Sequence, residues 1–252
     1  MSTTADITNT DITPISFSHI MYWHLSAYWV ATMSFLALDY YWYSNGISKY
    51  KFSISADGRP FAPTRMIYKA IVVAICNQIV ATPFIYYITE YCIDQSWQLS
   101  LYDIYYSPLY FLLYVLLADQ WFYWTHRTLH MNRFLYKHIH SIHHQWVFPM
   151  AIRAIYAHPV EHVIGNVGSL MIGPLCFPIN GALLCLWVTS ATLNSVLAHS
   201  GTKIYMLTDE AHDMHHRVLL CNFGVMGLCD RLFGTHRTAR IRPEEVYNQS
   251  HT

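Results

Sequence analysis

Charge is scarce in this chain. Only 12% of its 252 residues are Asp, Glu, Lys or Arg, while 54% are hydrophobic; soluble domains carry about 25% charged residues. So apolar a composition excludes an ordinary water-soluble globule and points to one membrane-embedded domain. Formal net charge is zero, and no basic block exists beyond a short C-terminal scatter of arginines, which removes nucleic acid from the candidate partners. Cys76, Cys92, Cys176, Cys185, Cys221 and Cys229 form no CxxC pair, so neither a thiolate metal site nor a disulfide framework is expected. Those in or beside apolar stretches read as buried free thiols. The N-terminus has neither the basic start nor the small-residue cleavage site of a secretory signal, so its first apolar run is expected to remain as an anchor.

Long apolar runs organise what is present. Three candidate spans, residues 20–43, 66–89 and 104–125, precede the first histidine cluster, each near the roughly 20 residues that a bilayer core of about 30 Å requires of a helix. A fourth tract, 163–198, contains no Asp, Glu, Lys or Arg. Its Gly173-Pro174 pair and the Pro178 to Gly181 segment interrupt helices, so it reads as a hairpin that enters and returns, or as two constrained spans. Lys49, Lys51, Arg59 and Arg65 follow the first span, whereas Glu90, Asp94 and Asp103 follow the second without a Lys or Arg. By the positive-inside rule the first loop and the histidine region face the cytosol. Tyr40, Tyr41, Trp42 and Trp121 stand near span ends, as interfacial aromatics do. The expected fold is therefore all-α, a multi-pass membrane bundle with a cytosolic histidine-rich cap. Its layout is a polar tail (1–19), three spans (20–125), two histidine boxes (126–162), the membrane hairpin (163–198), a third box (199–240) and a C-terminal tail (241–252).

The histidines carry the chemistry. Twelve of sixteen lie between His126 and His216, grouped as His126-x-x-x-His130, His140-x-x-His143-His144 and His212-x-x-His215-His216. Positions i, i+3 and i+4 share a helix face, so each cluster can aim its rings at one point, and imidazole is the commonest metal ligand. His158, before Pro159, and His199, at the end of the apolar hairpin, are further candidate ligands. So many rings exceed the needs of one ion and imply two. Asp119, Glu161, Asp213 and Asp230 are candidates to orient the rings through their second nitrogen. All-nitrogen ligation leaves di-iron, dizinc and dicopper open; the carboxylate set of soluble di-iron bundles is missing. Two further readings stand open for such a site: a bis-histidine haem electron carrier, and a zinc hydrolase, for which the HExxH motif is lacking.

The segments DQWFYWTHRTLH (119–130), HIHSIHH (138–144), HPVE (158–161), HSG (199–201), HDMHH (212–216) and DRLFGT (230–235) together resemble the membrane-bound fatty acid hydroxylase and sterol desaturase superfamily. The resemblance covers about half the chain. Individual features are similar to sphingoid-base 4-hydroxylases and to sterol 4-methyl oxidases. It implies a non-haem di-iron enzyme that uses dioxygen, with electrons from NAD(P)H passed through a small cytochrome b and its reductase, to hydroxylate or desaturate a lipid; in a eukaryote it implies the endoplasmic reticulum membrane. The resemblance carries over His126, His130, His140, His143, His144, His212, His215 and His216 as iron ligands, with His158 and His199 as additional ones. His138 and His162 have no counterpart and are expected to be scaffold. Phe111, Leu112, Leu116, Phe148 and Met150 are expected to contact a lipid tail.

Overall fold

A computed structural model describes residues 16–47, 49–51, 63–92, 99–146, 149–204 and 210–238. Helix α1 spans Phe17–Ser44, α2 Thr64–Cys92, α3 Leu101–Met131 and α4 Arg133–His138, followed by 3-10 turns at His140–Gln145 and Ala151–Ile155. A continuous helical run then passes through α5 (Pro159–Glu161), a π segment (His162–Val167) and α6 (Gly168–Cys176). Helices α7 (Gly181–Ser200), α8 (Ala211–Val218) and α9 (Leu228–Leu232) complete the described elements. Among the described residues one isolated bridge, Lys51 with Thr202, is the only β pairing.

Among the described residues three helices are long and apolar enough to cross a bilayer: Thr64–Tyr91, Leu101–Met131 and Gly181–Ser200. Helix α1 has the length, at 28 residues, but its Ser, Thr, His and Tyr content leaves it short of that apolarity, a departure from the expected first span. Helix α3 has 31 residues and is therefore ~46 Å long at 1.5 Å per residue. It outruns a hydrocarbon core of about 30 Å, which lets one rigid element carry His126 and His130 beyond the apolar layer. Outward-facing side chains such as Ile79, Tyr105, Leu112 and Leu186 are more than half exposed, as lipid-facing surfaces are.

The 163–198 tract differs from a simple hairpin. Its two limbs diverge: α6 lies chiefly against α3, and α7 chiefly against α1. The break falls at residues 177–180, while Gly173-Pro174 stays inside α6. Proline at position 174 removes the amide that would bond the Leu170 carbonyl, and Trp187 Nε1 donates to that oxygen instead, at 2.8 Å. Tyr114 OH donates to the Phe177 carbonyl at the break. The core between α3, α6 and α7 is built from Tyr114, Met171, Leu184, Trp187 and Val188. Cys185, Cys221 and Cys229 are buried, whereas Cys76 and Cys176, both in apolar stretches and expected to be buried, are exposed.

Lys51, read from sequence as a flanking cytosolic charge, is buried. Its Nζ lies 2.6 Å from Asp39 Oδ1 and donates to the Ser200 carbonyl at 2.5 Å. The Lys203 amide donates to the Tyr50 carbonyl at 2.8 Å. The chain after α1 is thereby fastened to the end of α7, where His199 sits. Trp42 is also buried, stacked on Tyr50, so of the expected interfacial aromatics at this end only Tyr40 and Tyr41 face outward.

Candidate metal centre

Histidines from four regions of the chain converge into two adjoining groups. His126, His130, His140, His144 and His215 form one, and His143, His199, His212 and His216 the other, with the ligand atoms of each group within 4.8 Å of one another. Nine of the ten histidines singled out in the sequence are thus brought together. His158 is in neither group; it caps α5, its Nδ1 accepting from Val160 N at 3.2 Å.

Each HxxHH box is divided between the groups, rather than aimed at one point. On a helix of 3.6 residues per turn, i and i+4 lie about 40° apart, while i+3 and i+4 are about 100° apart. Accordingly His212 and His216 join one group and His215 the other. The same division holds for His140 and His144 against His143, although this box is a tighter 3-10 turn. The two groups abut through His144 and His216, whose ring centroids are 4.6 Å apart.

In the five-histidine group, Nε2 atoms approach at 2.8 Å (His130 to His140), 3.0 Å (His140 to His144), 3.1 Å (His126 to His140) and 3.2 Å (His130 to His215, His144 to His215). Around a metal bound at about 2.1 Å, adjacent nitrogens at right angles stand roughly 3 Å apart. In the second group the separations are 2.8 Å (His199 to His212), 3.1 Å (His212 to His216) and 3.5 Å (His143 to His199).

The outer ring nitrogens decide what these approaches mean. Nδ1 faces a backbone carbonyl in four rings: His126 to Phe223 at 2.8 Å, His143 to Tyr156 at 3.0 Å, His199 to Ser195 at 2.8 Å and His215 to Cys221 at 2.7 Å. A carbonyl only accepts, so Nδ1 carries the proton and Nε2 of the neutral ring is a bare lone pair. Burial holds His143 and His215 neutral, far below the usual imidazole pKa, and neighbouring rings push the same way. His144, His212 and His216 are lowered for the same first cause. His143 and His199 therefore face each other with lone pairs at 3.5 Å, an approach that repels and is not a hydrogen bond. A cation between them is the arrangement that relieves the repulsion.

Two rings are governed by side chains. His140 Nδ1 lies 2.8 Å from Glu161 Oε1. Burial pushes the Glu161 carboxyl well up and the His140 imidazole down to about 3, which describes a neutral pair; with Nε2 engaged by a cation, Nδ1 would hold the shared proton and Glu161 would be a carboxylate. His216 Nδ1 instead faces Arg153 Nη2 at 3.1 Å, and the same guanidinium group donates to the His143 carbonyl at 3.2 Å. Arg153 is 1% exposed. Burial lowers its pKa to about 10, opposed by Asp213. Because Arg only donates, neutral His216 keeps its proton on Nε2, a proton it would have to give up to serve as a ligand through that nitrogen.

Of the carboxylates expected to orient rings, Glu161 touches one, that of His140. Asp119 accepts from Met226 N at 2.6 Å and Cys229 N at 2.9 Å. Asp230 accepts from Phe223 N at 2.8 Å and Gly224 N at 2.7 Å. Both fix the backbone that presents the Phe223 carbonyl to His126, because short acidic side chains satisfy loop amides that no helix serves. A Cβ at Gly224 would stand 2.7 Å from Asp119 Oδ1 and 2.9 Å from Asp230 Oδ2, so only glycine fits between them. Asp213 pairs with Arg217 at 3.1 Å. Gly201, after His199, has φ +62°, and a Cβ there would meet Pro149 at 2.1 Å. Sequence reading missed Arg153 and the four carbonyls; a lone arginine amid IRAI signals only that a charge must be buried, and carbonyls leave no trace in side-chain identity.

A cavity of about 720 Å³ opens onto both groups, its walls including His126 and His212 at one end and Phe111, Val115, Leu170 and Trp187 further in. That volume and apolar character suit a lipid-sized ligand. Of the expected tail contacts, Phe111 lines the cavity. Leu112 and Leu116 face outward, Met150 is packed in the core beneath Trp146, and Phe148 lies outside the described residues. His138 is exposed, its ring 4.6 Å from that of Phe134.

The family model described as fatty acid hydroxylase matches residues 111–235. Human fatty acid hydroxylase domain-containing protein 2 is 34% identical over 124 residues, 49% of this chain and 37% of its own. A putative methylsterol monooxygenase of Dictyostelium discoideum is 38% identical over 130 residues, covering 48% of this chain and 47% of its own. A very-long-chain aldehyde decarbonylase of Oryza sativa is 37% identical over 147 residues, with 51% and 53% covered. The chain thus spans about half or less of the length of the curated relatives it matches, and no solved structure matches it. The matched segment runs from the cavity wall at Phe111 through every histidine of the two groups to Thr235, and this half of the chain belongs to the fatty acid hydroxylase and sterol desaturase superfamily.

Proposed function

We propose that this protein is a membrane-bound non-haem di-iron oxidoreductase that hydroxylates or desaturates a lipid with dioxygen. The observation that carries the reading is nine histidines converging in two groups at the end of a lipid-sized cavity, four of them with their Nδ1 protons committed to backbone carbonyls. His126, His130, His140, His144 and His215 would hold one iron, and His143, His199, His212 and His216 the other. Five nitrogens in one group exceed the four of a tetrahedral zinc site, and two axial rings for a haem would leave seven histidines without purpose.

When bound, the metal pair supplies the oxidising power that turns dioxygen against an alkyl C–H bond. The protein's own residues do the remainder. Phe223, Tyr156, Ser195 and Cys221 carbonyls hold four rings in the ligating tautomer, and Glu161 holds a fifth. Phe111, Val115 and Trp187 exclude water along the path of the substrate chain, and the α3–α7 scaffold fixes the carbon to be attacked against the histidine groups. The relatives' names, fatty acid hydroxylase, methylsterol monooxygenase and aldehyde decarbonylase, agree on an oxidised lipid and differ on which.

The electrons come from NAD(P)H through a small cytochrome b and its reductase. The histidine groups face the cytosol, in the endoplasmic reticulum membrane of a eukaryotic cell, with 1–19 and 241–252 as tails and the residues between them as one hydroxylase domain. Lipid profiling by mass spectrometry of cells expressing the wild type and His143→Ala tests the reaction. A species shifted by one oxygen or by two hydrogens is expected with the wild type alone; identical profiles would refute the proposal.

A further inference from the structure

The cavity is not apolar throughout. Two turns of α7 before His199, a cluster of polar side chains stands in its wall: His24 from α1, His162 and Asn166 from the π segment, and Thr192 from α7. The seven residues from Thr192 to His199 place Thr192 ~10 Å along the helix from the nearer histidine group. His24 Nδ1 is 2.9 Å from Thr192 Oγ1. Asn166 Nδ2 lies 3.2 Å from His162 Nδ1, so that nitrogen accepts and Nε2 carries the proton of the neutral ring.

His162 is 2% exposed, and its Nε2 has no partner. A buried N–H without an acceptor is costly; here it belongs to a side chain on the wall of a cavity large enough for a ligand. The π turn that carries the ring belongs to a helical irregularity common at functional sites. His162 is neither a member of a histidine group nor bonded to one. The ligand atom it suits is an oxygen with a free lone pair. Among the described lining residues Arg231 is the only Lys or Arg, and it lies with Gly227 and His236 on the α9 side. A carboxylate or phosphate set against His162 would therefore be buried without a countercharge, which disfavours it strongly.

We propose that His162, backed by Asn166 and flanked by the His24–Thr192 pair, binds an uncharged oxygen of the lipid, a hydroxyl or carbonyl, while a carbon remote from that oxygen lies at the histidine groups. The inference rests on the lipid-oxidising reading and narrows the substrate to a lipid that is already oxygenated. The subsite fixes how far along the molecule oxidation occurs, so an upstream reaction must install or retain that oxygen.

The test is binding of tritiated hexadecan-1-ol to the full chain in detergent, competed with unlabelled hexadecan-1-ol or with hexadecane. In the wild type the alcohol should compete about tenfold better than the hydrocarbon, the ratio that one hydrogen bond to an otherwise unsatisfied buried donor gives. His162→Leu should abolish the preference, His162→Gln should restore most of it, and Asn166→Leu should weaken it. No preference in the wild type, no retention of the alcohol, or a preference that survives His162→Leu overturns the subsite. Binding is read without turnover, so the result is separable from the proposed reaction. Oxidised lipid in cells together with indifferent binding sinks the subsite alone; selective binding without oxidised lipid sinks the reaction.

Discussion

Glu161→Ala isolates the tautomer argument. In the intact site Glu161 Oε1 lies 2.8 Å from His140 Nδ1, and the carboxylate form it takes beside a bound cation keeps the proton on Nδ1 and the lone pair on Nε2. Alanine leaves the ring free to turn and to adopt either tautomer. Loss of such an outer partner typically lowers metal affinity about 10- to 100-fold, equivalent to about 1.4–2.7 kcal/mol. Glu161→Gln retains an oxygen that can accept from Nδ1 and should keep most of the affinity. The assay is competition of ferrous iron between the purified protein and a chelator under anaerobic conditions, read as affinity for each equivalent. The five-histidine group should weaken in the alanine variant, with the four-histidine group little changed. Wild-type affinity at both groups in Glu161→Ala would refute the reasoning, because His140 would then need no carboxylate to orient it.

Four further outcomes are expected. Asp119→Ala removes the acceptor for two amides; charged hydrogen bonds of this kind contribute about 1.5–3 kcal/mol each, so a loss near 3 kcal/mol should lower Tm by roughly 6–12 °C, and an unchanged Tm would contradict the anchoring role. Lys51→Ala strands the buried Asp39 carboxylate and should cost about 3–5 kcal/mol, whereas Lys51→Met with Asp39→Leu should cost far less; denaturation in detergent checks the contrast. Gly224→Ala should weaken folding and iron binding together, since its methyl group has no room between Asp119 and Asp230, and normal iron content would oppose this. The metal-free protein should lose stability as pH falls. Its folded His140 titrates at about 3 against an ordinary imidazole value of about 6.5. The unfolded chain therefore takes up protons first, and each such ring costs about 1.4 kcal/mol per pH unit below 6.5. A melting temperature that stays flat from pH 7 to 5 would count against buried neutral rings.

Much of this architecture was legible in the sequence because it rests on spacing and apolarity. The helices α2, α3 and α7 follow directly from long apolar runs, and i, i+4 spacing brought His126 and His130 together. The division of each HxxHH box was hidden, since identity records only that three rings lie near one face, and the angle between i+3 and i+4 matters once two metals stand side by side. Lys51 misled for a related reason: a positive residue after a span reads as a cytosolic flank, yet Asp39 one turn inside α1 gave it a buried partner. The outer acceptors escaped notice because four of them are backbone carbonyls, positioned by the Asp119 and Asp230 loops, by a 3-10 turn and, for Ser195, by helix α7 itself. His162 was read as scaffold because a single histidine has no spacing pattern, and only the unpartnered nitrogen on a cavity wall distinguishes it.

The most direct test of the two-group centre is the iron content of protein purified without oxygen, measured beside its visible spectrum. The account predicts two irons per chain in the wild type, one in His215→Ala and one in His143→Ala, with no intense Soret band. A single iron that both variants lose alike, tetrahedral zinc in its place, or a haem spectrum would contradict it.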